Sequence, residues 1–349
     1  MPAVSVIMAA YNGAGLIGET IASLQAQTFG DFEIVVVDDC STDDTRDVLA
    51  ALAIDEPRLR IIHAAENGGP VRARNRAFAE ARGRYVAGLD QDDLCLPDRL
   101  ATQVAYLDAH RDVVLLGASA AIFDGTSARP SHLPVVTTPA LIEWLLQIIN
   151  PLVWSSVMVR REVALRLSPF TRPDRLYAED FDLYHRLMAH GRVARIGRDL
   201  LLYRQHGGGA SQRYVTTMHA SAAQVLADAY APIFGEGAAE RAALIVRHVM
   251  GRVPVPDRAT LALLGETVTR LQAAFFARAA IGREDRRLIR WQTARLWGRI
   301  GKESLRAGGI GLHDAIAVRP AHLGLGYNRI EQLAVDQAVG QIKRVMRRG

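Results

Sequence analysis

The sequence has only two cysteines, Cys40 and Cys95, far apart and without metal-ligand spacing around them, which excludes a disulfide framework and a zinc site. A reducing cytoplasm is therefore the expected compartment. No apolar run approaches the roughly 20 residues that a membrane span needs, and the opening "MPAVSVIMAAYNG" has no basic leader. Neither export nor a transmembrane segment is expected. Zinc-finger, basic-zipper and RNA-recognition signatures are missing as well, so the positive charge is not read as a nucleic-acid footprint. The chain contains no internal repeat and no long low-complexity segment.

What is present points to a folded globular protein. With 49% hydrophobic residues over 349 positions, the chain can bury a large core, in one large domain and a smaller one. The net charge of +5 is carried overwhelmingly by arginine, whose planar fork suits phosphates and carboxylates. That charge fits a phosphate-bearing small substrate or an anionic membrane surface.

The first half alternates short apolar runs with amphipathic stretches, the pattern of βαβ units and a parallel sheet. Strands are expected at "VSVIMA", "FEIVVVD", "LRIIHA", "RYVAGLD" and "DVVLLGAS". Helices are expected at "LIGETIASLQAQ", "DDTRDVLAALA" and "PVRARNRAFAEAR", and again from Pro97, as first helical residue, to about Asp108. "FDGTSARPSHLPVVTTP" reads as a loop or hairpin, followed by a less regular layer. From Tyr214 onward strand signals fade, so residues 1–214 are expected as an α/β domain and 215–349 as a mostly helical region.

In an open parallel sheet, ligands bind beyond the carboxyl ends of the strands. Asp38 and Asp39 follow the second strand, and Asp90, Asp92 and Asp93 follow the fourth. Ser41, Thr42, Asp43 and Asp44 are better explained by turn closure and helix capping. The second cluster is not, because carboxylates so spaced repel one another unless a cation compensates them. Hard oxygen ligands on a short loop suit Mg²⁺ or Mn²⁺, which would in turn bind a diphosphate.

The strings "VSVIMAAYNG", "IVVVDDCSTDDT", "ARNRAFAEARGRYVAGLDQDD", "AEDFDLYHRL" and "LLYRQHGGGAS" occur in this order over the first 210 residues. That succession resembles the inverting nucleotide-sugar glycosyltransferases of glycosyltransferase family 2. The resemblance implies the GT-A fold, a Rossmann-like mixed sheet flanked by helices, with a helical C-terminal region outside the match. It implies that Ala9, Tyr11 and Asn12 border the nucleotide, that Asp39 accepts a hydrogen bond from the uracil imide, and that Arg72 or Arg74 lies nearby. Asn12 as a turn residue and Arg72 on a solvated helix face are equally compatible with the sequence. Asp90 is implied in the ribose or metal shell, Asp92 and His206 as ligands of Mn²⁺ or Mg²⁺, and Asp93 as a looser support. Asp180 is implied as the base that deprotonates the acceptor, with Glu179 orienting it or touching the acceptor. One departure stands out: "LSPF" replaces the family's glycine-rich turn before the acidic motif, on the acceptor side.

The expected function is metal-dependent, inverting transfer of a hexose or N-acetylhexosamine unit from a UDP-sugar to a hydroxyl of a glycan or lipid-linked acceptor, in bacterial-type surface polysaccharide synthesis. A sugar-nucleotide nucleotidyltransferase and a non-catalytic binding scaffold are the alternatives. The end of the chain pairs Val335, Ala338, Val339, Ile342 and Val345 with Lys343, Arg344, Arg347 and Arg348. This basic amphipathic pattern suits peripheral contact with the inner face of the cell membrane, whereas the earlier "RRLIRWQTARLWGRI", with Ile289, Leu296 and Ile300 on one helical side and Arg287, Arg290, Arg295 and Arg299 largely away from it, suits packing on the catalytic domain or a partner subunit.

Overall fold

The computed structural model describes residues 1–131, 133–207, 209–278 and 281–346. The chain divides into two compact units: 1–143 with 150–221, and 144–149 with 222–349. The six residues 144–149 thus belong with the second unit, inside the stretch that the sequence alone assigns to the first.

The first unit begins β1 (Val4–Ala10), α1 (Ile17–Gln25), β2 (Phe32–Asp38), α2 (Thr45–Asp55), β3 (Leu59–His63), α3 (Pro70–Glu80) and β4 (Tyr85–Gly88). β5 (Leu94–Cys95), α4 (Arg99–Ala109), β6 (Val113–Phe123), β7 (Ala128–Arg129) and α5 (Pro139–Leu145) follow. Then come β8 (Met158–Arg160), α6 (Arg161–Ala164), α7 (Glu179–Leu187), β9 (Arg192–Arg204), α8 (Ala210–Arg213) and the start of α9 (Val215–Phe234). Among the described residues nine strands form one sheet in the order β3-β2-β1-β4-β8-β6-β9-β5, with β7 paired to β6. β3, β2, β1 and β4 run parallel, and β8 joins antiparallel to both β4 and β6.

The apolar runs explain these strands. β2 is buried along its whole length, and β1 in all but Ala9, as expected of strands covered on both faces. Ile17, Ile21 and Leu24 of α1 and Leu100, Val104 and Leu107 of α4 close over the sheet at helical spacing. β2 lies on one side of β1 and β4 on the other, so the strand order reverses direction beside the carboxyl end of β1. Such a switch point opens a crevice for ligands.

Two details differ from the expectations drawn from sequence. α4 starts at Arg99 with Asp98 as its N-cap, not at Pro97, whose carbonyl instead accepts the Thr28 N–H at 2.8 Å. The layer expected to be irregular contains β9, thirteen residues long and parallel to β6. Its Arg192, Arg195, Arg198 and Arg204 break the apolar pattern by which a strand is recognised.

The second unit holds the rest of α9, α10 (Ala238–Ile245), α11 (Arg258–Ala277), α12 (Arg283–Ala307), α13 (Leu312–Ala317) and α14 (Ile330–Met346). Trp144 is fully buried there, donating its indole N–H to Thr293 Oγ1 at 2.8 Å, with its ring 5.6 Å from that of Phe275. No described helix is long and apolar enough to cross a membrane. Lys343 and Arg344 lie outside the described side chains, and Arg347 and Arg348 outside the described residues.

Candidate active site

The loops that leave β1, β2 and β4 meet at the switch point. After β1, Asn12 takes a left-handed conformation with φ of 48°. Its side-chain carbonyl accepts the Thr42 N–H at 2.9 Å, and its own N–H donates to Ser41 Oγ at 3.0 Å. Asn12 therefore shapes the turn by tying the β1 and β2 loops together. Tyr11 beside it is 45% exposed.

Gln91 joins these loops to the acidic one. Its amide accepts the Tyr11 N–H at 2.9 Å and donates to the Tyr11 carbonyl at 3.0 Å, as a strand neighbour would. A Cβ at Gly13 would collide with that amide and displace it from the Tyr11 backbone. Sequence reasoning misses Gln91 because its work is done through backbone groups eighty residues away.

Asp39 is 4% exposed and accepts the backbone N–H groups of Gly68 at 2.9 Å and Gly69 at 2.8 Å, at the entrance to α3. Arg72 is exposed on that helix, its stem beside Gly68. Arg74, two residues further along α3, is buried and forms the centre of the site. Its guanidinium donates to Asp90 Oδ1 at 2.9 Å and to Glu179 Oε1, and lies 4.9 Å from the centre of the Trp154 ring. Burial favours loss of its proton, but Asp90 and Glu179 outweigh that and hold its pKa above the ordinary range.

The other two carboxylates of the β4 loop are poorly compensated. Asp93, expected from sequence as a loose support, is the most buried of the three at 1% exposed. One of its oxygens accepts the Arg204 N–H at 2.8 Å, while Oδ2 is buried without a hydrogen-bond partner. Burial, Asp90 and Asp92 push its pKa well up, against Ser155 and the Arg204 amide. Asp92 is raised by burial and Asp90, and His206 Nε2 lies 2.9 Å from its Oδ2. Arg204 also donates from Nε to the Asp92 carbonyl at 2.8 Å, so β9 holds the acidic loop at two points.

α7 brings Glu179 and Asp180 to the same place. Asp180 accepts its neighbour's Phe181 N–H at 2.7 Å and the Asn150 side-chain N–H at 3.1 Å. Burial, then the charge of Glu179, push its pKa up to about 7, with Arg74, the Phe181 amide and Asn150 opposing. Tyr184, one turn further, has a buried hydroxyl without a partner, as do Glu179 Oε2 and the Trp154 indole N–H. Tyr177 precedes α7 with φ of 63° and stacks on Tyr214 at 4.4 Å. Asn150 and Tyr177 carry no motif that singles them out in the sequence.

Among the described residues no three His, Cys, Asp or Glu side chains are grouped to hold a metal. Asp92 and His206 form a two-donor arrangement, next to an orphaned Asp93 oxygen and carboxyl groups raised by burial and by one another's charge. That set fits Mg²⁺ or Mn²⁺, which commonly take one or two protein donors and complete their shell with phosphate and water.

Residues 5–167 match the family model described as Glycosyl transferase family 2. EpsE of Bacillus subtilis (strain 168), which carries a glycosyltransferase name, is 31% identical over 193 residues, 54% of this chain and 68% of that protein. The succinoglycan biosynthesis protein ExoO of Rhizobium meliloti (strain 1021) is 43% identical over 152 residues, 41% of this chain and 42% of that protein. The chain thus spans about two fifths of the length of that relative. Among solved structures, S. aureus TarS 1-349 in complex with UDP-GlcNAc is 18% identical, with TM-score 0.54 over 98% of this chain and 91% of that one. The mannosyltransferase PcManGT of Pyrobaculum calidifontis, in complex with GDP-Man and Mn²⁺, is 22% identical, with TM-score 0.54 over 97% and 87%. At these identities the two structures establish a shared fold of the GT-A type.

Proposed function

The chain belongs to glycosyl transferase family 2, and from that premise we propose that it transfers a sugar from a UDP-sugar to a hydroxyl of a glycan or lipid-linked acceptor, with inversion, in surface polysaccharide synthesis. The observation that carries the reading is Asp180, a carboxyl with a pKa of about 7 held by Asn150 beside the acidic cluster. A base poised near neutral pH is suited to taking a proton from an alcohol as it attacks.

In this reading the donor's uracil stacks on the Tyr11 ring beside Ala9, and its imide N–H donates to Asp39. Each Asp39 oxygen holds one backbone amide and keeps a lone pair for that purpose. Asn12 keeps the loop in shape, and Arg72 reaches the nucleotide from its rim. Arg74 neutralises and fixes Asp90 and Glu179, with Asp90 toward the ribose and Glu179 toward the acceptor. The acceptor oxygen attacks the anomeric carbon from the face opposite the leaving group, Asp180 takes its proton, and UDP departs. Asp92 and His206 would hold the divalent cation, which supplies charge compensation for the departing diphosphate.

The test is to incubate the protein with a panel of UDP-sugars, a glycan acceptor and Mn²⁺, and to analyse both products. Release of UDP with an inverted anomeric configuration is expected. Pyrophosphate release, or turnover that survives Asp180→Asn at full rate, would contradict the proposal.

A further inference from the structure

The second unit carries a surface that catalysis does not use. Residues 281–330 contain ten Arg and Lys against four Asp and Glu, whereas residues 1–280 contain 28 against 31. The excess positive charge of the chain therefore resides beyond residue 280, and not in the acidic catalytic unit.

Within the 281–330 segment, the exposed side of α12 presents Arg287, Trp291 and Arg295 at successive turns. Trp291 is 38% exposed, an unusual setting for the largest apolar side chain, and the Arg295 guanidinium lies 4.8 Å from the centre of its ring. The 320–329 segment packs against this part of α12 through Gly326, whose backbone touches Ala294 and Gly298 so closely that a Cβ on it would collide with both. Asn328 fastens the contact by donating to the Gly298 carbonyl at 2.9 Å. Tyr327 is thereby fixed near this stretch of α12, held at φ of 66° and 72% exposed, followed by the exposed Arg329 and Ile330.

We propose that this face, made by Arg287, Trp291, Arg295, Tyr327, Arg329 and Ile330, docks on an anionic lipid surface without crossing it. Guanidinium groups are weakly hydrated and pair with phosphate in a two-pronged manner, while Trp and Tyr rings settle at the headgroup level of a bilayer. Ile330 is what distinguishes this face from a binding site for nucleic acid or an acidic glycan, either of which would pair with the charges and stack on the rings but leave that exposed aliphatic side chain wet. The face differs from the one expected at the end of the chain, lying on α12 and the loop beside it.

The experiment is flotation of the full chain with vesicles of phosphatidylcholine, alone or mixed with phosphatidylglycerol. Two variants are compared with wild type: W291A/Y327G, in which glycine suits the left-handed position, and R287E/R295E. Wild type should float only with the anionic vesicles, and salt should weaken the association. Each variant should lose about fivefold or more in vesicle affinity, on the scale of one or two interfacial contacts. UDP binding, measured on the same preparations, should be unchanged and shows that the variants are folded. Absence of flotation, flotation that survives both variants, or retention on heparin without flotation on vesicles would overturn the proposal.

Discussion

Asp38 and Asp90 each close a buried parallel strand on the same rim, yet the fold treats the groups they begin differently. Burial would raise the Asp38 carboxyl, but Ser41, Arg46 and His63 outweigh it and hold it below the usual range. Asp43 likewise spends its oxygens on the Ala14 and Thr45 amides and the Thr45 hydroxyl. In the second group Asp90 and Glu179 share the single guanidinium of Arg74. Asp92, Asp93 and Asp180 all sit above their ordinary values, and Asp93 Oδ2 and Glu179 Oε2 are orphaned. A carboxylate that is completely satisfied by its own chain holds structure together. A group left undercompensated is costly to bury and marks a candidate for binding.

The contrast can be broken by substitution, the largest effect being expected at the base. Asp180→Asn should lower kcat by about 10²–10⁴-fold, the usual range for loss of general-base assistance, while calorimetry finds UDP affinity unchanged. Asp92→Ala should reduce turnover by about 10²-fold, an effect of about 2.7 kcal/mol, and chelation with EDTA should reproduce the loss in wild type but add little in the variant. Arg74→Ala strips the charge partner from the buried Glu179 and the partly exposed Asp90 and should destabilise the protein by about 3 kcal/mol in urea denaturation. Asp38→Asn should cost only about 1–2 kcal/mol and leave the transfer rate within a factor of two, since its bonds are structural.

The same two groups should respond to pH in opposite senses. Asp38 has a lowered folded pKa, so its stabilisation is present above the ordinary value of 3.8 and disappears as pH falls through the depressed one. Asp180 has a raised pKa, so its contribution is present below 3.8 and is lost as pH rises through about 7. Thermal melting against pH should show Asp38→Asn flattening the acid side and Asp180→Asn raising the neutral and alkaline side. The transfer rate should climb as pH rises through about 7, because only ionised Asp180 can accept a proton.

The readable and unreadable parts of this molecule differ for physical reasons. β1 to β4 and the helices between them are legible because each is buried on a fixed period, and the acidic loops are legible because they follow those strands. β9 is hidden by its arginines, and β5 by having two residues. Asp93 looks peripheral in the sequence because nothing in "DQDD" reveals that β9 covers it. Gln91, Asn150 and Arg204 act through backbone groups or across long separations, so their importance exists only after folding. Trp154 is buried, yet its indole N–H is unsatisfied beside Arg74, a pairing visible only in the folded chain.

The most direct test of the central contrast is calorimetric titration of UDP, with and without Mn²⁺, into wild type, Asp92→Ala and Asp38→Asn. The account predicts Mn²⁺-dependent binding that Asp92→Ala abolishes and Asp38→Asn preserves. Equal binding in all three proteins without metal, or loss only in Asp38→Asn, would show that the undercompensated carboxylates are not the donor's metal site.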